Sequence, residues 1–353
     1  MPTKVTIALL LGIPAFGQAP ADAQQEARFD IKHAQTMQDF GQISDVIRAI
    51  SGVRVVSKDN ANLSLTVRGT AEEVGTAEWL RQQLDQPVDR VGEGAAEYRV
   101  TSPSRQPVDE IARIVRIRHA ATTQDFVALT NVVRTVGQVF RLSTYLAPSV
   151  MIVRGTPDDL RLPEWLIGEL DQPVNQPRAA KSEYRGGPDD LTCVYRLTNA
   201  KSAGDAQEVA SALGPPGARV FGYTAYAYPK GRAIIVRSRT VPPQHLSATD
   251  RIAMMDWLVK QLDRPPARTP QVSEDYKVPM DFYPANRRPS DEFLRVYRFT
   301  ARETMWQFRK DTERVFGKGR GLVTVVDAPR TVVVYGSAEE LAKAAQVSQQ
   351  IGQ

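Results

Sequence analysis

Apolar and polar positions alternate from Leu63 to Arg68, with leucine or valine at every second residue. This alternation predicts a strand with one buried and one wet face. Thr70 and Glu73 then form a capping box, and apolar residues recur at helical spacing until Pro87. Upstream, a strand-like run at residues 29–33 precedes a helix that starts at Thr36 and ends at Gly52, and residues 53–57 form a second strand. The predicted order is strand, helix, strand, strand, helix.

This pattern is repeated along the chain. Val67-Arg68-Gly69-Thr70 and Leu84-Asp85-Gln86-Pro87 return with the same spacing as Val153-Arg154-Gly155-Thr156 and Leu170-Asp171-Gln172-Pro173. Looser copies contain Val236-Arg237-Ser238 and Val334-Tyr335-Gly336. A repeat of this length determines the architecture, so it takes precedence over single motifs.

The repeats predict an α+β fold of four tandem βαββα modules, each a three-stranded sheet with two helices on one face. Module 1 spans 28–88, module 2 spans 111–174, module 3 spans 192–266 and module 4 spans 293–353. Proline-rich, polar stretches at 89–110, 175–191 and 267–292 are predicted to be extended linkers, which favours spaced modules over one fused core. Since about 60 residues bury only about 60% of their unfolded surface, contact between neighbouring modules is expected to help.

Module 3 differs from the other copies. Tyr223, Tyr226 and Tyr228 indicate a longer turn between its later strands, and residues 240–249, which include His245, are inserted before its second helix. Insertions in repeat proteins often lie on a binding face. An elaborated surface loop explains the insertion equally well.

Three tryptophans occupy similar positions in the second helices of modules 1 to 3: Trp79, Trp165 and Trp257. Each adjoins a core leucine and therefore lies at the edge of the buried face. Packing within the module is one explanation, and anchoring of a linker or neighbouring module is the other. With the three tyrosines and His245, these tryptophans form the candidate interface.

The N-terminal residues have the layout of a secretory signal peptide. Lys4, an apolar run from Val5 to Phe16 and small residues near Ala23 predict cleavage after residue 23, and thus a periplasmic protein. An anchor helix is the alternative, but the run is shorter than the roughly 20 residues that span a bilayer, and Pro14 interrupts it. No later segment is long and apolar enough to span a membrane.

Candidate chemistry is sparse among the 353 residues. The lone cysteine, Cys193, lies in a strand-like run and reads as a packed residue. His33, His119 and His245 belong to different modules, so we expect no metal, no cofactor and no enzyme activity. Gly317-Lys318-Gly319-Arg320-Gly321 lacks the P-loop pattern and indicates a solvated turn.

The segment from Val55 to Leu63, which leads into Val67-Arg68-Gly69-Thr70, resembles the N-terminal periplasmic domains of bacterial secretins, the short secretin/NolW-related domains. Ile31-Lys32-His33-Ala34 resembles them too. The resemblance implies a K-homology-like, ring-building type of βαββα module, but no secretin channel domain is recognisable. Nucleic-acid binding is not expected, because no module has a Gly-x-x-Gly loop between helices.

Together these features predict a non-enzymatic scaffold or adaptor in a cell-envelope or secretion complex, with envelope proteins or a second copy as partners. The alternative is binding to peptidoglycan or lipopolysaccharide. A net charge of +5 favours anionic surfaces without selecting one.

Overall fold

The computed structural model describes residues 24–93, 96–101, 109–173, 176–213, 223–239, 247–278, 292–317 and 322–351. The predicted signal peptide, most of the module 3 insertion with His245, and residues 318–321 of the basic loop lie outside these ranges.

The described chain has an α+β fold with small antiparallel sheets. The region of module 1 contains β1 (Gln25–Asp30), α1 (Met37–Ser51), β2 (Arg54–Asp59), β3 (Ser64–Gly69) and α2 (Ala71–Leu84). Next come β4 (Ala96–Thr101), β5 (Asp109–Arg116), α3 (Thr123–Thr135), β6 (Arg141–Tyr145), β7 (Val150–Gly155) and α4 (Pro157–Leu170).

The second half continues in the same way. It contains β8 (Lys181–Gly187), β9 (Asp190–Arg196), α5 (Ala203–Leu213), β10 (Tyr223–Tyr228), β11 (Ala233–Arg239) and α6 (Ala248–Leu262). The last elements are β12 (Gln271–Val272), β13 (Tyr276–Lys277), β14 (Glu292–Arg298), α7 (Arg302–Phe316), β15 (Leu322–Val326), β16 (Thr331–Ser337) and α8 (Ala338–Ile351).

Four antiparallel sheets, numbered 1 to 4 along the chain, contain these strands. Their orders are β1-β3-β2, β4-β5-β7-β6, β8-β9-β11-β10 and β12-β14-β16-β15, with β13 also paired to β14. The prediction of three strands per sheet is therefore wrong for sheets 2, 3 and 4. Their additional edge strands are β4, β8 and the β12–β13 pair.

These additional strands come from the predicted linkers. Tyr98 of β4 pairs with Ala112 of β5, and Tyr276 of β13 pairs with Leu294 of β14. These strands are extended, and each is hydrogen-bonded to the first strand of the following module. They are parts of a sheet rather than free spacers.

Capping residues start most helices where the sequence predicts. Thr36, Thr70, Thr122 and Thr156 each accept a hydrogen bond from the backbone N–H three residues later, and the acid there bonds back to the cap. For α7, Thr300 with Glu303 three residues later predicts the same kind of cap, but Ala301 is the N-cap and no side chain caps the helix. The carboxylate of Glu303 lies in the first turn of α7, so its negative charge still complements the helix dipole.

One backbone conformation recurs in front of four strands. Leu63, Ser149, Arg232 and Arg330 have positive φ angles of 46° to 54°. The carbonyl oxygen of each accepts a 2.9 Å hydrogen bond from the residue just after the first strand of its module, as in Ile31 N to Leu63 O. This shared geometry identifies equivalent positions in the four sheets.

Sheets 2, 3 and 4 are covered on both faces. In β7, Met151 and Val153 join a core with helices α3 and α4, whereas Val150 and Ile152 join the core that contains α1 and α2. Alternate residues of β9 and β11 divide in the same way, as do those of β16. Each later sheet thus packs between its own helices and those of the preceding module. The expectation of spaced modules is wrong, because the cores are continuous from one module to the next.

Candidate interaction surfaces

Three aromatic pairs mark the junctions between modules. The ring centroids of Trp79 and Tyr98 are 5.3 Å apart, those of Trp165 and Tyr184 5.5 Å, and those of Trp257 and Tyr276 5.3 Å. Each tryptophan belongs to the second helix of one module, and each tyrosine to the additional strand of the next sheet. The tryptophans therefore contact the predicted linkers.

An acidic residue precedes each of these tyrosines and faces the opposite side of the strand, as the period of two requires. Glu97 accepts a 2.5 Å bond from Arg113 of β5, which also pairs with Glu164 of α4. In sheet 3, Lys181 lies 2.7 Å from Glu183 and 2.8 Å from Asp256 of α6. The additional strand is thus held by a ring pair to the module before it and by ion pairs to the module after it.

Arg154 of the Arg-Gly-Thr motif, and Arg237 at the equivalent position of module 3, each bond across a junction. Nη1 of Arg154, a buried residue of module 2, donates to the carbonyl oxygens of Ile50 and Ser51 at the end of α1, at 2.7 and 3.2 Å. Nη1 of Arg237 donates at 2.5 Å to the carbonyl of Val136, at the end of α3. These bonds satisfy helix carbonyls that have no intrahelical partner.

A second polar contact crosses two of the junctions. Gln42 Oε1 of α1 accepts a 2.8 Å bond from the backbone N–H of Leu146. Glu208 of α5 accepts bonds from the N–H groups of Asp327 and Ala328, at 2.8 and 3.0 Å. Both acceptors lie six residues after the cap residue of the helix, and Leu146 and Asp327 each lie three residues before a left-handed turn residue.

The aspartate of Leu-Asp-x-Pro closes each of the first three modules. Asp171 accepts bonds from the N–H groups of Arg118 and His119 at 2.7 and 2.8 Å, and its carbonyl oxygen lies 3.1 Å from Nδ1 of His119. Asp85 binds Lys32 and His33 in the same manner, and Asp263 binds Thr198 and Asn199. His33 and His119 thus each have a hydrogen-bonding partner within their own module.

The tyrosines of module 3 are in a strand, not in the expected longer turn. Tyr223 and Tyr228 of β10 are 5% and 2% exposed. The hydroxyl of Tyr223 donates to the Leu213 carbonyl, while Tyr226 and Tyr228 pack in the core shared with module 2. The alternation in Tyr-Thr-Ala-Tyr-Ala-Tyr is a weak strand signal, so the sequence alone favours a longer turn between the later strands. His245 lies outside the described residues.

Cys193 is fully buried, and burial raises the pKa of its thiol to about 12. A thiol with such a pKa is largely protonated at neutral pH and therefore a poor nucleophile. The packed role expected from the sequence agrees with this environment.

The two ends of the described stack expose side chains to solvent, whereas the junctions bury them. The outward face of sheet 1 carries Glu26, Arg28 and Arg68, all exposed. At the other end, α7 exposes Trp306 at 41% and Val315 at 44%, and the guanidinium of Arg309 lies 5.2 Å from the Trp306 ring centroid. These faces are open among the described residues.

The sequence contains a signal for the junctions in the spacing of their aromatic residues. Each tyrosine follows its tryptophan by 19 residues, for example 98 − 79, and an acid precedes each tyrosine. A constant offset between the helix of one module and the following linker indicates that the linker has a fixed place in the fold.

No protein-family model and no curated protein matches the chain. Several solved structures are similar to it at low sequence identity and low TM-score. One is described as the structure of XcpQN012, with 16% identity and a TM-score of 0.20, covering 68% of this chain and 100% of that one. The N-terminal domain of the secretin XcpQ from Pseudomonas aeruginosa has 15% identity and a TM-score of 0.21, covering 67% and 96%. ExeD of Aeromonas hydrophila has 12% identity and a TM-score of 0.16, covering 89% of this chain and 59% of that one.

Within the described ranges, no helix combines the length and hydropathy that a membrane span requires.

Proposed function

We propose that this chain is a periplasmic, non-enzymatic scaffold or adaptor of four secretin N-domain-like βαββα modules that mediates protein–protein assembly in a cell-envelope or secretion complex. The observation that carries the proposal is the stacking of the sheets. Each later sheet lies between two helix pairs, so the described chain is one continuous stack with defined end faces. Such a stack is suited to holding other proteins at fixed separations.

The roles of the polar residues support the same proposal. Asp85, Asp171 and Asp263 bind backbone amides, and Arg154 and Arg237 close helix ends in a neighbouring module. These side chains stabilise the architecture. The leader-like segment supports export to the periplasm, where the chain would meet other envelope proteins.

The test is purification of residues 24–353, carrying a C-terminal tag, from the periplasm of a bacterial host. A scaffold is expected to form oligomers in light scattering, or to retain envelope proteins at about 0.5 M salt, because short-range packed contacts resist screening. A chain that stays monomeric, binds no protein and binds peptidoglycan or lipopolysaccharide only at low salt would contradict the scaffold role and favour polymer binding.

A further inference from the structure

The two ends of the described stack retain complementary halves of the junction that joins the modules within the chain. At each internal junction, a sheet lies on the helices of the preceding module. Among the residues that the structure describes, nothing covers the outward face of sheet 1 or the outward side of α7. One end therefore presents a sheet and the other presents a helix pair.

Arg68 retains the donor half of the junction. It occupies the same motif position as Arg154 and Arg237, which donate to the C-terminal carbonyls of a preceding helix. Arg68 is exposed, and its side chain bonds Glu26 at 2.6 Å. Asn60, also exposed, lies three residues before the left-handed Leu63, at the position from which Leu146 and Asp327 donate their N–H groups.

Helix α7 retains the acceptor half. Gln307 is exposed and lies six residues after the N-cap Ala301, as Gln42 does after Thr36. Val315 lies fourteen residues after the cap, where α1 and α3 have Ile50 and Val136. Those two side chains are 0% and 1% exposed beneath the next sheet, whereas Val315 is 44% exposed.

The chemistry of both faces is polar, unlike that of the internal junctions. Counted in the same register, Glu26 and Arg28 of β1 replace the apolar Ala112 and Ile114 of β5. On α7, Asp311 stands where α1 has the buried Val46. Because each face carries charges of both signs, contact between them is weaker and more sensitive to salt than the apolar junctions.

We propose that sheet 1 of one copy docks on α7 of a second copy, head to tail, in the geometry of the internal junctions. Arg68 donates to the carbonyl oxygens at the C-terminal end of α7, and Gln307 accepts the Asn60 N–H. This inference rests on the proposed scaffold function and specifies how copies of the scaffold assemble with one another. Since the two surfaces differ, the interface is heterologous and gives rings or open filaments rather than two-fold dimers.

Site-directed disulfide formation tests this contact in the chain of residues 24–353. Asn60→Cys and Gln307→Cys are combined in one variant and also made singly, and the buried Cys193 stays in place. The expected result is a ladder of disulfide-linked oligomers under mild oxidation from the double variant only, since the bond requires close Cα atoms. The absence of a ladder at any protein concentration overturns the proposal. So do dimers of either single variant in the same amount, because they would show two-fold contact.

Sedimentation velocity gives a second readout that does not depend on the cysteines. Arg68→Glu is expected to weaken self-association by at least about tenfold, because it removes a charged hydrogen-bond donor and places a carboxylate at the partly negative C-terminal end of a helix. Arg99→Glu, at an exposed arginine of β4, is the matched control and should leave association unchanged. Equal effects of the two variants contradict the proposed contact. If self-association is absent but envelope proteins still copurify, the scaffold function stands and the head-to-tail contact falls.

Discussion

Nη1 of Arg154 donates to the carbonyl oxygen of Ile50 at 2.7 Å, so a side chain of one module closes the end of a helix in another. Arg154 is 9% exposed and also bonds Glu110 through Nε at 2.7 Å. Arg68, at the same motif position in module 1, is exposed. The pair allows a controlled measurement of what the junction contact contributes.

Arg154→Ala is expected to lower the free energy of unfolding by about 2–4 kcal/mol, because it leaves the helix carbonyls without their donor and removes one of the two arginines that pair with Glu110. Arg68→Ala should change the free energy by less than about 1 kcal/mol, as is usual for an exposed ion pair. Urea denaturation of both variants provides the measurement. Equal losses would show that the bond to Ile50 contributes little.

The junction between Trp165 and Tyr184 is open to a double-mutant cycle. The coupling free energy between Trp165→Ala and Tyr184→Ala is expected to be about 1 kcal/mol, as for other aromatic pairs. Trp165→Ala should also change the relative placement of neighbouring modules in small-angle scattering, because the anchor of β8 is lost. A loss of stability with an unchanged scattering profile would argue against that role.

Asp171→Ala is expected to destabilise the chain by about 2–4 kcal/mol, because two backbone N–H groups lose an ionised acceptor. Asp158→Ala provides the matched control: its side chain is 82% exposed and pairs with Arg161, so its effect should stay below about 1 kcal/mol. Thermal unfolding followed by circular dichroism compares the two. A large effect of Asp158→Ala, or none of Asp171→Ala, would contradict a stabilising role for the bonds between Asp171 and the two backbone amides.

Stability is expected to fall at alkaline pH through Tyr145, which packs at the junction between modules 1 and 2. Burial, and then the charges of Asp39 and Asp85, raise the pKa of Tyr145 to about 12. An unfolded tyrosine has a pKa of about 10. The folded state therefore binds more protons in this interval, so the stabilisation is complete below about pH 10 and is lost as the pH rises towards 12.

The measurement is the unfolding midpoint over a pH series, with the Tyr145→Phe variant beside the parent chain. The variant should lose less stability between about pH 10 and 12, because phenylalanine has no proton to release. Identical pH profiles would show that another tyrosine dominates. Tyr223 and Tyr228 are the internal comparison, because burial raises the pKa of each as well.

Much of each module was predictable because local signals and burial agree. Thr122 with Asp125 and Thr156 with Asp159 start helices in the structure as their spacing predicts. The failure at Thr300 has a simple cause: Ala301 takes the cap position, so the threonine lies one residue too early. Spacing alone cannot distinguish two neighbouring cap positions.

The stacking of the modules was missed although the strands contain its signal. In β3, the polar residues Ser64, Thr66 and Arg68 alternate with apolar Leu65 and Val67, and exposure along the polar face rises from buried Ser64 to exposed Arg68. In β7, residues 150–153 are all apolar, and such a run indicates a strand that is buried on both faces. The difference between these two strands predicts which sheets lie inside the stack.

The additional strands could not be found from propensity. The predicted linkers contain prolines and charges, and β12 and β13 are each only two residues long. What places them is contact with a tryptophan in one module and an acid–cation pair in the next. Tertiary contacts of this kind override weak local preference.

The fixed place of β4, β8 and β13 means that the boundary of the repeated sequence and the boundary of the folding unit differ by one strand. A segment with the bounds of module 2, residues 111–174, would carry both helices and three strands of sheet 2 but not β4, the edge strand that completes the sheet. Unfolding of one module should spread to the next, as in a one-dimensional cooperative array. Each additional strand contacts a tryptophan of one module and belongs to the sheet of the next.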